Sequence, residues 1–375
     1  MTMALSNKLK IRDFCDLVKG ESPTLKTEPG NFPLVVTAEF RRSANRYQFD
    51  TEAVCIPLVS STGHGNAAIH RVHYQTGKFA LANIMVALVP TNSEICDPKY
   101  LYYYLQSSKD YVLVPLMKGT SNVSLKVKDI AEVEVFLPPL EKQKEIVNHI
   151  DFVISKIEEV KNLRAAMLDD AQAMLSSAFH KIIEGAVYKP MSEVAPIVRR
   201  QIEITVDGEY PELGARSFGK GIFHKPTLIG AELDWQKLYT VHSGDLVLSN
   251  IKAWEGAIAA AGDNDHGRVG SHRYITCVPV EGVTTANFLA FYLLTQEGIE
   301  QVQAASPGSA DRNRTLAMKR LEKIKVPVPD YDKQLWFNQL QSYVEKIKQA
   351  QSENATELEA LMPSILDKAF KGELV

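Results

Sequence analysis

The chain is poor in cysteine and has no long apolar run. Its four cysteines (Cys15, Cys55, Cys96, Cys277) are scattered and form no CxxC pair. That spacing argues against a disulfide-stapled scaffold and a cysteine-built zinc site. No apolar stretch approaches the roughly 20 residues needed to cross a bilayer. The opening residues, MTMALSNKLKIRDF, contain neither the apolar core nor the cleavage site of a secretory signal. The expected localisation is cytoplasmic. Charge of one sign is lacking too: 42 Lys and Arg stand against 45 Asp and Glu, a formal net charge of −3. Residues 1–140 sum to +2, 141–185 to −2, 186–330 to −1 and 331–375 to −2. The acid excess thus sits mainly on two stretches, and a local basic face is possible elsewhere although the total gives it no support.

Catalytic signatures are also missing. Gly214-Ala-Arg-Ser-Phe-Gly-Lys-Gly221 fits GxxxxGK, but Gly221 stands where a phosphate loop needs Ser or Thr. The following Ile-Phe-His-Lys-Pro does not open a helix toward a phosphate. Leu137-Pro-Pro-Leu140 has the two prolines of an amino-methyltransferase tetrapeptide, without its leading polar residue or its final aromatic. It reads as a strand-to-helix junction. His64, His70 and His73 cluster with no cysteine or carboxylate pattern beside them, so a solvated or DNA-facing loop is expected there rather than a metal site. The expectation is no catalytic residue, no metal and no cofactor bound by this chain.

What the sequence has is a repeat. Shifted by about 191 positions, Ile130–Phe136 falls on Leu321–Pro327, and Glu141-Lys142-Gln143 on Asp332-Lys333-Gln334. Slightly smaller shifts bring Phe32-Pro33…Phe40 onto Tyr210-Pro211…Phe218, and Tyr104-Leu105 onto Tyr292-Leu293. A period this long means duplicated domains rather than a solenoid. Each copy mixes short β-rich runs (Val54–Val59, Phe79–Val89; Asp245–Leu248, Arg273–Val280) with one helical run, Pro98–Gln106 or Asn287–Gln296. This is an α/β domain of modest size. The boundaries read as domains over 1–140 and 186–330, with long helices over 141–185 and 331–375.

Those helices carry an apolar series at alternating steps of four and three, the a/d seam of a coiled coil. In the first it runs Ile146, Ile150, Val153, Ile157, Val160, then polar Arg164, then Met167, Ala171, Met174, Ala178. In the second it runs Phe337, Leu340, Val344, Ile347, then polar Gln351 and Asn354, then Leu358, Leu361, Ile365. About 40 residues at 1.5 Å each make a rod on the order of 60 Å, which points to a spacer. Antiparallel packing would set the polar breaks against one another and fix the register; the alternative is that each helix packs on its own domain. Pro363 predicts a kink or break near Leu361.

Residues suited to reading bases or holding phosphates recur in both copies. In the first they are Arg41, Arg42, Arg46, Lys118 and Asn122. In the second they are Arg199, Arg200, Arg216, Lys220, Lys252, Arg273, Arg312 and Asn313.

The chain resembles the specificity subunits of type I restriction-modification enzymes. The resemblance is carried by the paired junctions Phe136-Leu-Pro-Pro-Leu-Glu-Lys-Gln143 and Val326-Pro-Val-Pro-Asp-Tyr-Asp-Lys-Gln334, and by the helices that follow them. Two further stretches look typical of the family's target-recognition domains: GARSFGKGIF (214–223) and GDLVLSNIKAWEGAIA (244–259). The resemblance implies α/β (α+β) target-recognition domains in tandem, separated by two long antiparallel coiled-coil helices about a pseudo-two-fold. It implies a non-catalytic subunit that reads a bipartite DNA target for two methyltransferase subunits and, in the full assembly, two restriction subunits. S-adenosylmethionine belongs to the methyltransferase partner, ATP and magnesium to the restriction partner. The junction residues Gln143 and Gln334 become candidates for partner contact. A self-contained DNA methyltransferase and a coiled-coil protein scaffold are the alternatives.

Overall fold

The computed structural model describes residues 8–62, 65–233, 237–308 and 314–371. The chain divides into two units: unit 1 is 1–164 with 352–375, and unit 2 is 165–351.

Unit 1 opens with β1 (Lys8–Lys10), β2 (Cys15–Lys19), β3 (Phe32–Val35), β4 (Arg42–Ala44) and β5 (Phe49–Asp50). It continues through β6 (Ala53–Pro57), β7 (His73–Gln75), β8 (Lys78–Leu81) and β9 (Met85–Pro90). Helices α1 (Pro98–Val112) and α2 (Val127–Ala131) follow, then β10 (Glu134–Phe136) and the start of α3 (Leu140–Ile183). One sheet has the order β2-β9-β6-β7; a second has the order β4-β3-β8-β5, and β1 pairs with β10. Within the second sheet β3 is parallel to β8, with Leu34 opposite Ala80.

Unit 2 contains β11 (Val187–Pro190), α4 (Met191–Val194), β12 (Glu209–Ala215), β13 (Ile222–Ile229) and β14 (Leu238–Thr240). Then come β15 (Leu246–Ser249), β16 (Ile258–Ala260), β17 (Val269–Ser271) and β18 (Tyr274–Cys277). The chain goes on through α5 (Ala286–Leu294), α6 (Gln296–Ala304), α7 (Met318–Leu321), β19 (Lys325–Val328) and α8 (Tyr331–Glu353), ending in α9 (Ala355–Lys371). The sheet orders repeat those of unit 1. β13-β12-β17-β14 matches β4-β3-β8-β5, and β11 pairs with β19 as β1 does with β10. Again one pair is parallel, with Glu212 opposite Val269. The remaining sheet, β16-β15-β18, has only an isolated bridge from Ile197 to Cys277 where unit 1 has β2. The duplication read from sequence is therefore a duplication of topology.

The β-rich run Phe79–Val89 is two strands rather than one. Ala82–Ile84 turn the chain from β8 in one sheet into β9 in the other, with the exposed Asn83 at the turn and the flanking strands apolar. The helix of each unit starts at a capping side chain: Asp97 accepts from the backbone N–H of Lys99 and Tyr100, and Thr285 from that of Phe288.

The long helices are held at both ends. Ile146, Val147 and Ile150 of α3 join the core of unit 1, while Leu175, Phe179 and Ile182 of the same helix join the core of unit 2. In return Leu366 and Ala369 of α9 complete the unit 1 core, and Phe337 and Val344 of α8 lie in that of unit 2. The long helices thus contribute to the core of each unit.

The seam departs from a strict heptad. Ile150 and Ile157 are buried and Val153 half-buried, but Val160, Met167 and Met174 are exposed, and burial passes to Ala171, Leu175 and Phe179. The step from Ile157 to Leu175 closes on about five turns of an unsupercoiled α-helix. The buried stripe therefore follows a period of about 3.6 and drifts off the 3.5-residue pattern. On the second stretch Val344 is buried and Ile347, Gln351 and Leu358 are half-buried. Asn354 is exposed and marks the break between α8 and α9, and its carbonyl accepts from the Leu358 N–H at 3.2 Å. Pro363 lies inside α9 and does not end it. The interruption falls at Asn354 instead, nine residues before the proline.

Candidate nucleic-acid interface

The two junctions are built around buried amides. The Gln143 side chain donates to the carbonyls of Pro138 and Ile95, each at 2.8 Å, and its Oε1 accepts from the Asp97 N–H at 2.9 Å. Gln334 donates to the carbonyls of Pro329 and Val283, each at 2.9 Å, and accepts from the Thr284 hydroxyl at 3.0 Å. Both side chains are fully buried. The expectation that these glutamines contact a partner is corrected: every polar atom is engaged by the chain's own loop and helix start, so they lock the domain to its long helix.

The predicted reading residues fall into two groups. The first holds the fold together. Arg200 makes two hydrogen bonds to the buried carboxylate of Asp245, at 2.6 and 3.2 Å. Arg199 donates to the carbonyls of Tyr274 and His272 and stacks over the Tyr239 ring at 3.8 Å. Arg41 donates to Gln75 Oε1 (2.9 Å) and the Tyr74 carbonyl (3.2 Å), and its Nη1 lies 3.0 Å from His73 Nδ1. Burial lowers the pKa of Arg41. His73 is pushed down to about 4, first by burial and then by Arg41 and Arg71, so its imidazole is neutral. These side chains line a cleft of about 470 Å³ with His70, Tyr102 and Gln106.

The second group faces outward. Arg42 and Arg46 are exposed, as are Lys118 and Asn122, in a loop closed by paired backbone bonds between Lys118 and Ser124 (2.9 Å). In unit 2 Arg216, Lys220, Lys252 and Arg273 are exposed. His64, Arg312 and Asn313 lie outside the described residues.

Arg216 and Lys220 stand on the hairpin loop between β12 and β13, the segment that imitates a phosphate loop. It is a tight turn with left-handed backbone at Phe218 (φ 62°), Gly219 (φ 65°) and Gly221 (φ 78°). It docks on the turn that carries Lys252 and Trp254: the N–H groups of Phe218 and Gly219 donate to the carbonyls of Glu255 (2.8 Å) and Gly256 (2.9 Å). The Ser217 hydroxyl donates to Glu255 Oε2 at 3.0 Å, and Lys252 to Oε1 at 2.8 Å. The bond from Lys252, with a smaller share from Ser217, holds the Glu255 carboxyl below its ordinary value. Lys252 and Arg314 lie over the Trp254 ring at 5.3 and 4.9 Å. Sequence reasoning passed over Phe40, Phe218 and Trp254. The signal was present in Phe40 and Phe218 falling at matching places in the repeat.

These features define a class: a tandem pair of α/β units, each with a charged hairpin loop, built on two shared helical stretches. Residues 5–166 match the type I restriction modification DNA specificity domain. A Mycoplasma pneumoniae protein named as a putative type I specificity subunit, S.MpnORF285P, is 30 % identical over 156 residues, 40 % of this chain and 47 % of that one. The match thus spans about half the length of that relative. Among solved structures, the HsdS subunit from Thermoanaerobacter tengcongensis superposes with a TM-score of 0.59 at 18 % identity, covering 98 % of this chain and 97 % of that one. A chain from a study of complex assembly and conformational transition of the type I R-M system reaches 0.62 at 18 % identity, covering 100 % of both. Residues 5–166 are thus similar in sequence to that specificity domain, and the full length shares the fold of these two solved chains.

Proposed function

We propose that this chain is the non-catalytic DNA reader of a type I restriction-modification assembly, each unit recognising one half of a bipartite target. The observation that carries this reading is the repeated hairpin loop. In both units the first hairpin of the mixed sheet (β3–β4 and β12–β13) presents exposed cations beside an exposed aromatic, Arg42 with Phe40 and Arg216 with Phe218. Exposed cations position a duplex through its phosphates, and side chains that differ between the loops suit two different half-sites.

Partner subunits supply the chemistry in this reading: adenine methylation with S-adenosylmethionine by two methyltransferase subunits, and ATP- and magnesium-dependent restriction by two further subunits where present. Their docking surface is sought on the exposed apolar residues of the helices rather than at the buried glutamines. On α3 the step from Phe152 to Leu163 closes on about three turns, and on α8 the step from Trp336 to Tyr343 on about two. Each pair therefore shares a helix face, and all four side chains are exposed.

The test is protection mapping of duplex DNA by the chain with its methyltransferase partner. Two protected patches separated by an open gap are expected. One continuous patch or none sinks the reading, and methylation by the chain unaided favours the self-contained enzyme instead.

A further inference from the structure

Phe40 and Phe218 occupy the same place in the two units. The parallel pairs Leu34–Ala80 and Glu212–Val269 fix the register, and in both cases the phenylalanine comes six residues after the residue that makes the pair. Both sit in the loop joining the first two strands of the mixed sheet, and both are largely exposed, 64 % for Phe40 and 76 % for Phe218. An exposed phenylalanine at one loop tip is ordinary; the same exposure at two equivalent tips, in loops that otherwise differ, calls for a reason.

Both tips are also held from behind. The residue before each phenylalanine is tied to the neighbouring loop: Glu39 to Arg71 at 2.8 Å in unit 1, and Ser217 to Glu255 at 3.0 Å in unit 2. The chemistry is different and the tie is the same. In unit 2 two backbone bonds add to it, and Phe218 is kept in the left-handed region at φ 62°, where a bulky L-residue is an outlier and glycine would rest without strain. Gly219 and Gly256 let the loop lie flat against Leu294, whose methyl groups a Cβ at either position would crowd. An aromatic maintained against backbone preference and aimed at solvent is poised for a ligand.

We infer that Phe40 and Phe218 are paired aromatic wedges, each of which stacks into a base step of one DNA half-site and partly unstacks it. This rests on the DNA-reading function proposed above. The surroundings favour nucleic acid over a protein surface. Lys220 lies 6.0 Å from the Phe218 ring, Arg216 and Lys252 are exposed nearby, and Arg314 lies over Trp254, the residue before Glu255. The carboxylate at the clamp, Glu255, is already paired with Lys252. Cations around an apolar wedge meet the phosphates on either side of an opened step, whereas a protein-docking aromatic sits among apolar neighbours. Glu39, Arg71, Ser217 and Glu255 are the positioning residues.

The experiment uses the full chain with its methyltransferase partner. A duplex is selected from a random-sequence pool by the wild-type complex, then 2-aminopurine is placed at each purine position in turn. Wild type is expected to raise the fluorescence at one step in each half-site. Phe40→Ala and Phe218→Ala should each abolish the rise in one half-site only and weaken binding roughly tenfold, on the scale of a lost stacking contact. Phe218→Gly should do the same while keeping or raising the Tm, because it relieves the backbone, so misfolding is distinguishable from loss of the wedge. Unchanged fluorescence in the variants, with DNA still bound, overturns the wedge and leaves the reading function standing. So does loss of the methyltransferase partner with fluorescence intact. Failure of the wild-type complex to enrich any duplex overturns the reading function and the wedge together.

Discussion

Gln143 and Gln334 make the same pair of donor bonds in the two units. Each donates to the carbonyl of the proline just ahead of its long helix (Pro138 at 2.8 Å, Pro329 at 2.9 Å) and to a loop carbonyl of its own domain. The repeated acid-Lys-Gln triplet is therefore a structural joint whose third residue alone reaches inward.

Removing either amide should damage the fold before any partner contact. Gln143→Leu and Gln334→Leu each leave buried carbonyls without a donor, and each should cost on the order of 3 kcal/mol. Urea unfolding of the two variants checks this. A loss below about 0.5 kcal/mol, the range of an ordinary surface substitution, together with impaired partner binding would restore the surface role.

Two arginines that look alike in the sequence should behave oppositely. Arg200→Met strands the buried carboxylate of Asp245 and should destabilise unit 2 by roughly 2–4 kcal/mol. Arg216→Met, at an exposed tip, should leave stability within about 0.5 kcal/mol. In DNA binding it should lower the affinity and reduce the slope of log K against log salt by about one. Thermal melts and salt titrations of both variants separate the roles.

His73 gives unit 1 an acid-sensitive element. Its folded pKa, about 4, lies below the ordinary histidine value of 6.5 because burial, Arg41 and Arg71 all oppose a proton. The stability this contributes is complete above the unfolded value and is lost as pH falls from about 6.5 toward 4, amounting to roughly 3 kcal/mol. His73→Gln should flatten the stability profile in that window. An unchanged profile would mean that the imidazole is protonated in the native protein.

Pro363 lies within α9 with no N–H to offer the carbonyl one turn back. Pro363→Ala should raise the stability of unit 1 by about 1–3 kcal/mol. Denaturant titration is the measure, and a loss of stability would show that the ring's packing outweighs the missing bond.

Much of this architecture was legible in the residues. The repeat, the strand-to-helix junctions at Pro138-Pro139 and Pro329-Asp330 and the presence of two long helical stretches all follow from local patterns. The misplaced details have a common cause, since each is decided by three-dimensional context. Met167 and Met174 satisfied a heptad, but a helix with about 3.6 residues per turn moved the buried face to Leu175 and Phe179. Arg200 had the composition of a reader, and only the placement of Asp245 beside it shows that it is committed to the fold. Phe40 and Phe218 were visible as a match, but nothing in a string of letters reports that both rings are exposed.

The division of the helices between the units has a consequence for how the chain is made. Unit 2 is one continuous segment, 165–351, whereas unit 1 needs Leu366 and Ala369 from near the other end of the sequence. During synthesis unit 2 can therefore reach its native core while unit 1 still has a gap along its flank, although unit 1 emerges first. A chain truncated after Glu353 would be protease-resistant in its second half and nicked in its first. A circular permutant starting at Ala355 would make unit 1 the continuous segment and reverse that order.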